Sequence, residues 1–300
     1  MTHRWSFKMF KRVVQRSVAR VFTLLFFLVA SISNSAMAEE NQAPFIFAVS
    51  AMTSPATTFK HFSELKDYLA EKLQRPVILK QRRTYAEINQ LLENNKISMA
   101  LTCTGGFLDG HQAFGLEALV APMINGETRY QSFIIVAKDE TAQSLADLQG
   151  RVFAFTDPLS LTGRVYPTAK INELGYKTNQ FFKKTFYTAS HDKSIAAVAN
   201  GIADAAAVDS LIYKALLKDP QSAAHKVKVI EVSEYFGMPP FVVSPSMPKD
   251  EKLSLLKILL GMASDPEGRH VLEALDYNRF TIPDPAMYHS ALRLIKHVSE

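Results

Sequence analysis

The chain is poor in the residues on which several common chemistries depend. It holds one cysteine, Cys103, so no internal disulfide can form. In the apolar run Ser98-Met99-Ala100-Leu101-Thr102-Cys103 that thiol reads as buried and inert. The one tryptophan, Trp5, falls in the first 38 residues. The rest of the chain therefore lacks the side chain that most often forms sugar-stacking platforms and cation cages, which weighs against carbohydrate and betaine ligands. There is no G-x-S-x-G elbow, H-E-x-x-H, P-loop or C-x-x-C, and Gly105-Gly106 is too little for a dinucleotide site. His61 and His111 have no ligand partner at metal spacing. No enzyme activity, metal or cofactor is expected.

Acidic residues are missing from one end only. Residues 1–38 contain Arg4, Lys8, Lys11, Arg12, Arg16 and Arg20 and no Asp or Glu. Taking these six from the 34 basic residues leaves 28 against 29 acidic ones, so the formal +5 becomes 28 − 29 = −1 over the remainder. The basic pI thus describes a terminus, and no nucleic-acid partner follows from it. Long hydrophobic runs are absent too. The apolar stretch Val21–Ala30 is short of the roughly 20 residues a membrane-spanning helix needs. A basic segment, this short apolar run and Ala36-Met37-Ala38 before Glu39-Glu40 predict a secretory signal peptide at 1–38, cleaved after Ala38. An uncleaved anchor is the alternative. No cysteine follows the site, which argues against a lipid-anchored lipoprotein.

With 47% hydrophobic residues, the chain has enough apolar material for one large or two modest cores. Strand and helix patterns alternate. Phe45–Val49 reads as a buried strand and Ser50–Thr58, with Pro55, as a loop. Phe59, Phe62, Leu65, Leu69 and Leu73 mark an amphipathic helix stopping before Pro76. Val77-Ile78-Leu79 is a strand, Thr84-x-x-Glu87 a capping box, and 98–102 a third strand. The grammar repeats after Ser144. Strands at 151–155 and 203–208 alternate with helices toward Gly175 and over 195–200, and the chain beyond Pro248 reads as helical. The series 45–125 and 151–233 predict two α/β lobes, each a mostly parallel sheet flanked by helices, with 128–137 and 239–244 as crossovers and a cleft between.

In such sheets ligands bind beyond the carboxyl ends of strands, often at helix starts. Ser160, Thr162 and Gly163 fall there. Hydroxyls with free backbone N–H groups suit an anion; plain N-capping explains a single hydroxyl better, and two hydroxyls plus glycine leave both readings open. His191, opening a later helix, could pair with an anion when protonated or be an exposed helix-start residue. Asp209 ends a strand, as a ligand acceptor or an N-cap. Tyr130 and Ser132 share one strand face, and Tyr130 could equally be packing.

Four ordered blocks carry a family resemblance. Ser144-Leu145-Ala146-Asp147-Leu148-Gln149-Gly150 before an apolar strand looks like the second-lobe entry of type II periplasmic binding proteins. Asp157-Pro158-Leu159-Ser160-Leu161-Thr162-Gly163, Ser190–Gly201 and Asp204–Ser210, with Tyr130-x-Ser132, resemble the phosphate, phosphite and phosphonate-binding proteins of ABC importers over residues 44–298. The resemblance implies a two-lobed type II periplasmic binding protein: residues 39–132 with 243–300 forming one lobe, 133–242 the other. It implies that Ser160, Thr162 and Gly163 hold an oxyanion. Tyr130, Ser132 and His191 would stand beside it, with Asp209 at the wall and Ser54 and Thr104 closing from the first lobe. Three positions depart from the family pattern. Leu161 stands where a third hydroxyl is common, Met238-Pro239-Pro240 offers no acid for an ammonium group, and Thr104-Gly105-Gly106-Phe107 replaces a Gly-Pro-rich turn. The expected function is a monomeric periplasmic receptor handing a small oxyanion to an ABC permease. The same fold could serve a membrane sensor protein, or bind a small heteroaromatic such as a thiamine precursor.

Overall fold

Residues 43–299 are described by a computed structural model; the predicted signal peptide and its cleavage site lie outside the described residues. The first strand, β1 (Phe45–Ser50), is buried along nearly its whole length. Helix α1 runs Pro55–Leu73, starting earlier than the expected Phe59 because Pro55 sits in the first turn, where its missing N–H costs no helical bond. Its buried residues Phe62, Leu65, Tyr68 and Leu69 recur at helical spacing and face the sheet. There follow β2 (Val77–Arg82), α2 (Tyr85–Glu93), β3 (Met99–Leu101), α3 (Thr104–Phe114) and β4 (Glu117–Met123). The expected capping box is present, with the Glu87 N–H donating to Thr84 Oγ1 at 3.2 Å and the Thr84 N–H to Glu87 Oε2 at 3.1 Å.

The chain then crosses through β5 (Arg129–Tyr130) into β6 (Ser132–Ala137), β7 (Val152–Phe155), a π-turn at Leu161–Val165, α4 (Tyr166–Glu173), the short α5 (Thr178–Phe181) and β8 (Lys184–Tyr187). Next come α6 (His191–Ala199), β9 (Ala205–Asp209), α7 (Ser210–Leu216) and β10 (Val227–Val232). The return path is β11 (Phe236–Gly237) and β12 (Phe241–Val243). It is followed by α8 (Lys249–Gly261), α9 (Pro266–Ala274), β13 (Arg279–Thr281) and α10 (His289–Ser299). The stretch beyond Pro248 is thus not all helical: Phe280 on β13 packs edge-on against Phe241, ring centroids 5.0 Å apart.

Two large sheets form, ordered β13-β4-β12-β3-β1-β2 and β10-β6-β9-β7-β8, while β5 and β11 pair across the two crossovers. The fold is the expected two-lobed α/β architecture, but the sheets are mixed rather than mostly parallel. Only β2-β1-β3 and β8-β7-β9 pair in parallel. Strand β12 returns from the second lobe and runs antiparallel to both β3 and β4, and β6 runs antiparallel to β9 and β10. The apolar pattern of a strand buried on both faces does not encode its direction. One apolar cluster joins the lobes: Phe107 and Leu108 of α3 share it with Leu161, Val165 and Tyr166, and the inner face of α10 packs on it.

Candidate functional site

The carboxyl ends of β1, β2 and β3 and those of β7 and β9 point toward one seam between the lobes. From the second lobe comes the loop after β7. Ser160 is fully buried, and its Oγ accepts the Gly163 N–H at 2.9 Å, so it caps the π-turn while its own hydroxyl proton remains available. A Cβ on Gly163 would stand 2.4 Å from Thr156 Oγ1, so only glycine fits this turn. Thr162 is buried, and its carbonyl accepts the Ser132 hydroxyl at 2.7 Å. Ser132 therefore holds the loop in place from the neighbouring strand.

His191 is fully buried at the start of α6. The Asp209 backbone N–H donates to its Nδ1 at 3.1 Å, and Thr156 Oγ1 lies 3.1 Å from the same nitrogen. Occupied in this way, Nδ1 is the acceptor, which places the proton on Nε2. The buried Nε2 has no hydrogen-bond partner. Burial drops the imidazole pKa to about 3, so the ring is neutral, in place of the cation the sequence suggested. Neither is it the exposed helix-start residue of the alternative reading. Asp209 is also buried and caps α7, its Oδ1 accepting the Leu211 N–H at 2.7 Å. Desolvation pushes its carboxyl up to about 7 against the pull of the Leu211 and Ile212 N–H groups.

The first lobe contributes one tyrosine, Tyr85, and the crossover strand β5 another, Tyr130. Tyr130 is buried beside Thr104, whose single hydroxyl proton goes to the Gly237 carbonyl at 2.7 Å, and the Tyr130 hydroxyl is left unpartnered. Tyr85, the first residue of α2, has a fully buried ring and an equally unpartnered hydroxyl. Both phenols are raised well above their usual pKa, first by burial and then by nearby Cys103 and Asp209. Asp209 acts electrostatically on both phenols, and its backbone N–H holds His191. Tyr85 Oη, Tyr130 Oη and His191 Nε2 are three buried neutral donors without a hydrogen-bond partner.

Contacts between the lobes close the seam. The Tyr85 N–H donates to Asp157 Oδ2 at 3.2 Å, the Ser54 N–H to Asp192 Oδ2 at 3.0 Å, and the His191 N–H to the Met52 carbonyl at 3.1 Å. Ser54 is only partly buried, and its hydroxyl pairs locally with Thr57. It meets the second lobe through its backbone. The structure thus brings Tyr130, Ser132, Ser160, Thr162, Gly163, His191 and Asp209 to one place, with Thr104 and Ser54 supporting from the first lobe. Sequence reasoning missed Tyr85, Thr156 and the cross-lobe acids Asp157 and Asp192. The available signal for Tyr85 was its position, first in a helix that opens just past a strand's carboxyl end. Among the described residues, no group of three or more His, Cys, Asp or Glu could hold a metal ion.

The family model for the periplasmic substrate-binding protein of phosphonate ABC transporters matches residues 47–288. The chain belongs to this family. That family comprises periplasmic substrate-binding proteins of phosphonate ABC transporters. A phosphate-import protein PhnD of Mycolicibacterium smegmatis is 27% identical over 130 residues. That match takes in 41% of this chain and only 40% of the relative's length. Among solved structures, the binding component of an ABC phosphonate transporter from Pseudomonas aeruginosa superposes with a TM-score of 0.79 at 22% identity, covering 86% of this chain and 87% of its own. PhnD1 of Prochlorococcus marinus, solved with methylphosphonate, gives 0.77 at 16% identity, covering 85% and 98%. Among the described residues, no helix is long and apolar enough to cross a membrane.

Proposed function

We propose that the protein binds a small phosphorus oxyanion with an uncharged substituent, of the alkylphosphonate or phosphite kind. Held between its lobes, the ligand would be delivered as a closed monomer to the permease. The observation that carries this reading is the set of three buried, unpartnered, neutral donors, Tyr85 Oη, Tyr130 Oη and His191 Nε2. Neutral donors stabilise a desolvated anion through hydrogen bonds without a buried countercharge, while Ser160 and Thr162 supply hydroxyls and the adjoining turn supplies amides. At the second crossover Met238 is fully buried and its carbonyl accepts the Tyr288 hydroxyl at 3.1 Å, and the segment Met238-Pro239-Pro240 supplies no carboxylate for an ammonium group. This argues against an aminoalkylphosphonate. We further infer removal of residues 1–38 on export, and a lobe division at 39–132 with 243–300 against 133–242.

A thermal-shift panel on the mature chain tests the reading: methylphosphonate, phosphite, phosphate, 2-aminoethylphosphonate, sulfate and a thiamine precursor at fixed pH and salt. A ligand at 100 times its Kd stabilises by about 2.7 kcal/mol, a clear shift. Responses led by methylphosphonate or phosphite support the proposal. Silence from folded, ligand-free protein, or a response led by 2-aminoethylphosphonate or the thiamine precursor, overturns it.

A further inference from the structure

The first turn of α3 meets the second lobe backbone to backbone. A Cβ built on Gly105 would lie 2.1 Å from the Leu159 carbonyl oxygen, 2.9 Å from the Leu161 nitrogen and 3.3 Å from the Leu159 carbonyl carbon. These are its three nearest neighbours, and all belong to the loop after β7 in the opposite lobe. Backbone atoms cannot swing aside as a side-chain tip can. Neighbouring glycines differ: a Cβ on Gly106 would meet Thr102 and Tyr85, and one on Gly110 would meet Leu116 and Asn89, all within the first lobe. Gly105 also lies inside a helix and is absent from the residues with positive φ, so its own backbone would accept any side chain. Only the meeting of the lobes requires glycine there.

Two positions earlier, Cys103 lies under the same contact. Its sulfur accepts the Gly106 N–H at 3.3 Å and its S–H points across the seam to the Leu159 carbonyl at 3.6 Å. It is 3% exposed, so the closed seam shields it. The flanking cross-lobe bonds, Tyr85 to Asp157 and Ser54 to Asp192, can form only at this separation.

We infer that Gly105 sets how far the cleft closes: the bare Cα lets α3 dock on the Leu159–Leu161 backbone, and any larger residue holds the lobes apart and uncovers Cys103. This rests on lobe closure around a ligand as proposed above, though not on which anion is bound. Cys103 is the reporter, because burial pushes its thiol up to about 12 while an opened cleft returns it toward an ordinary thiol that alkylates readily.

The test compares wild type, Gly105→Ala and the control Gly261→Ala, whose added Cβ meets nothing within 4 Å. Small-angle scattering and iodoacetamide labelling of Cys103 are read with and without saturating methylphosphonate, and methylphosphonate affinity by calorimetry. Gly105→Ala should still fold, since alanine favours a helix over glycine, with a lower unfolding midpoint as the cross-lobe packing of Phe107 and Leu108 loosens. Its radius of gyration should grow, and Cys103 should label at least about tenfold faster, following the larger open population. Affinity should fall by at least about tenfold, because apparent Kd rises as the competent fraction shrinks. Labelling and scattering equal to wild type would overturn the inference, and so would a variant that cannot fold, since the first lobe is claimed to accept alanine. If wild type ignores every anion of the panel yet Gly105→Ala still opens and labels, the ligand assignment fails and the closure role stands.

Discussion

At the scale of single residues, the site works by fixing protons in place. The Asp209 N–H and Thr156 hold His191 Nδ1, so Nε2–H is a donor with one direction available to it. Tyr130 offers the same kind of donor. Tyr130→Phe deletes one oxygen from a buried site, and calorimetry should show ligand binding weakened by about 1–3 kcal/mol with the unfolding midpoint nearly unchanged. The pair His191 and Asp209 also sets a pH signature. Asp209 keeps its proton up to about 7 in the folded chain and loses it near 3.8 when unfolded, so its contribution to stability falls as pH rises through that interval. His191 refuses a proton down to about 3 when folded but takes one near 6.5 when unfolded, so its contribution falls as pH drops. Between about pH 4 and 6.5 the two slopes oppose each other. Urea midpoints of the ligand-free protein should therefore rise with pH in Asp209→Asn and fall with pH in His191→Gln. A matching pH slope in both variants would contradict the assignment. That Ser160, Thr162, His191 and Asp209 lie near one another was legible because each falls at a strand end or a helix start. Tyr85 was not, since it shares a helical stripe with Ile88 and Leu92, and its ring reads as core until the second lobe comes near its hydroxyl.

At the scale of elements, local capping and distant charge act on the same helix. Thr84 caps α2 from within the first lobe, and Asp157 takes the next N–H from across the cleft. Thr84→Ala should cost about 1 kcal/mol in urea unfolding and, because α2 begins at Tyr85, should also weaken ligand binding. An affinity untouched by that loss would mean the α2 terminus is not part of the site. The capping box, the apolar periodicity of α1 and the short strands were readable from the chain because each is specified within a few residues. Strand direction was not. β12 takes its direction from the crossover it follows, and β13 is a three-residue strand whose Phe280 is fixed by Phe241, nearly forty positions away. Leu161, noted as a departure from the family loop, lies in the apolar cluster shared by both lobes, so its side chain contributes to packing between them.

At the scale of the whole molecule, the six-stranded sheet is not assembled in the order in which the chain is made. β12, from residues 241–243, lies between β3 and β4, which precede it by more than a hundred positions. Until that segment arrives, β3 has an unpaired edge and β4 has no partner strand, since β13 comes later still, while the second sheet is complete by β10. Exported as proposed above, the chain would emerge with its middle able to fold and its beginning waiting for its end. β12 links β3 to β4 only after the return crossover and β13 completes the sheet later still, so the seam between the lobes would form only when nearly all of the chain is across.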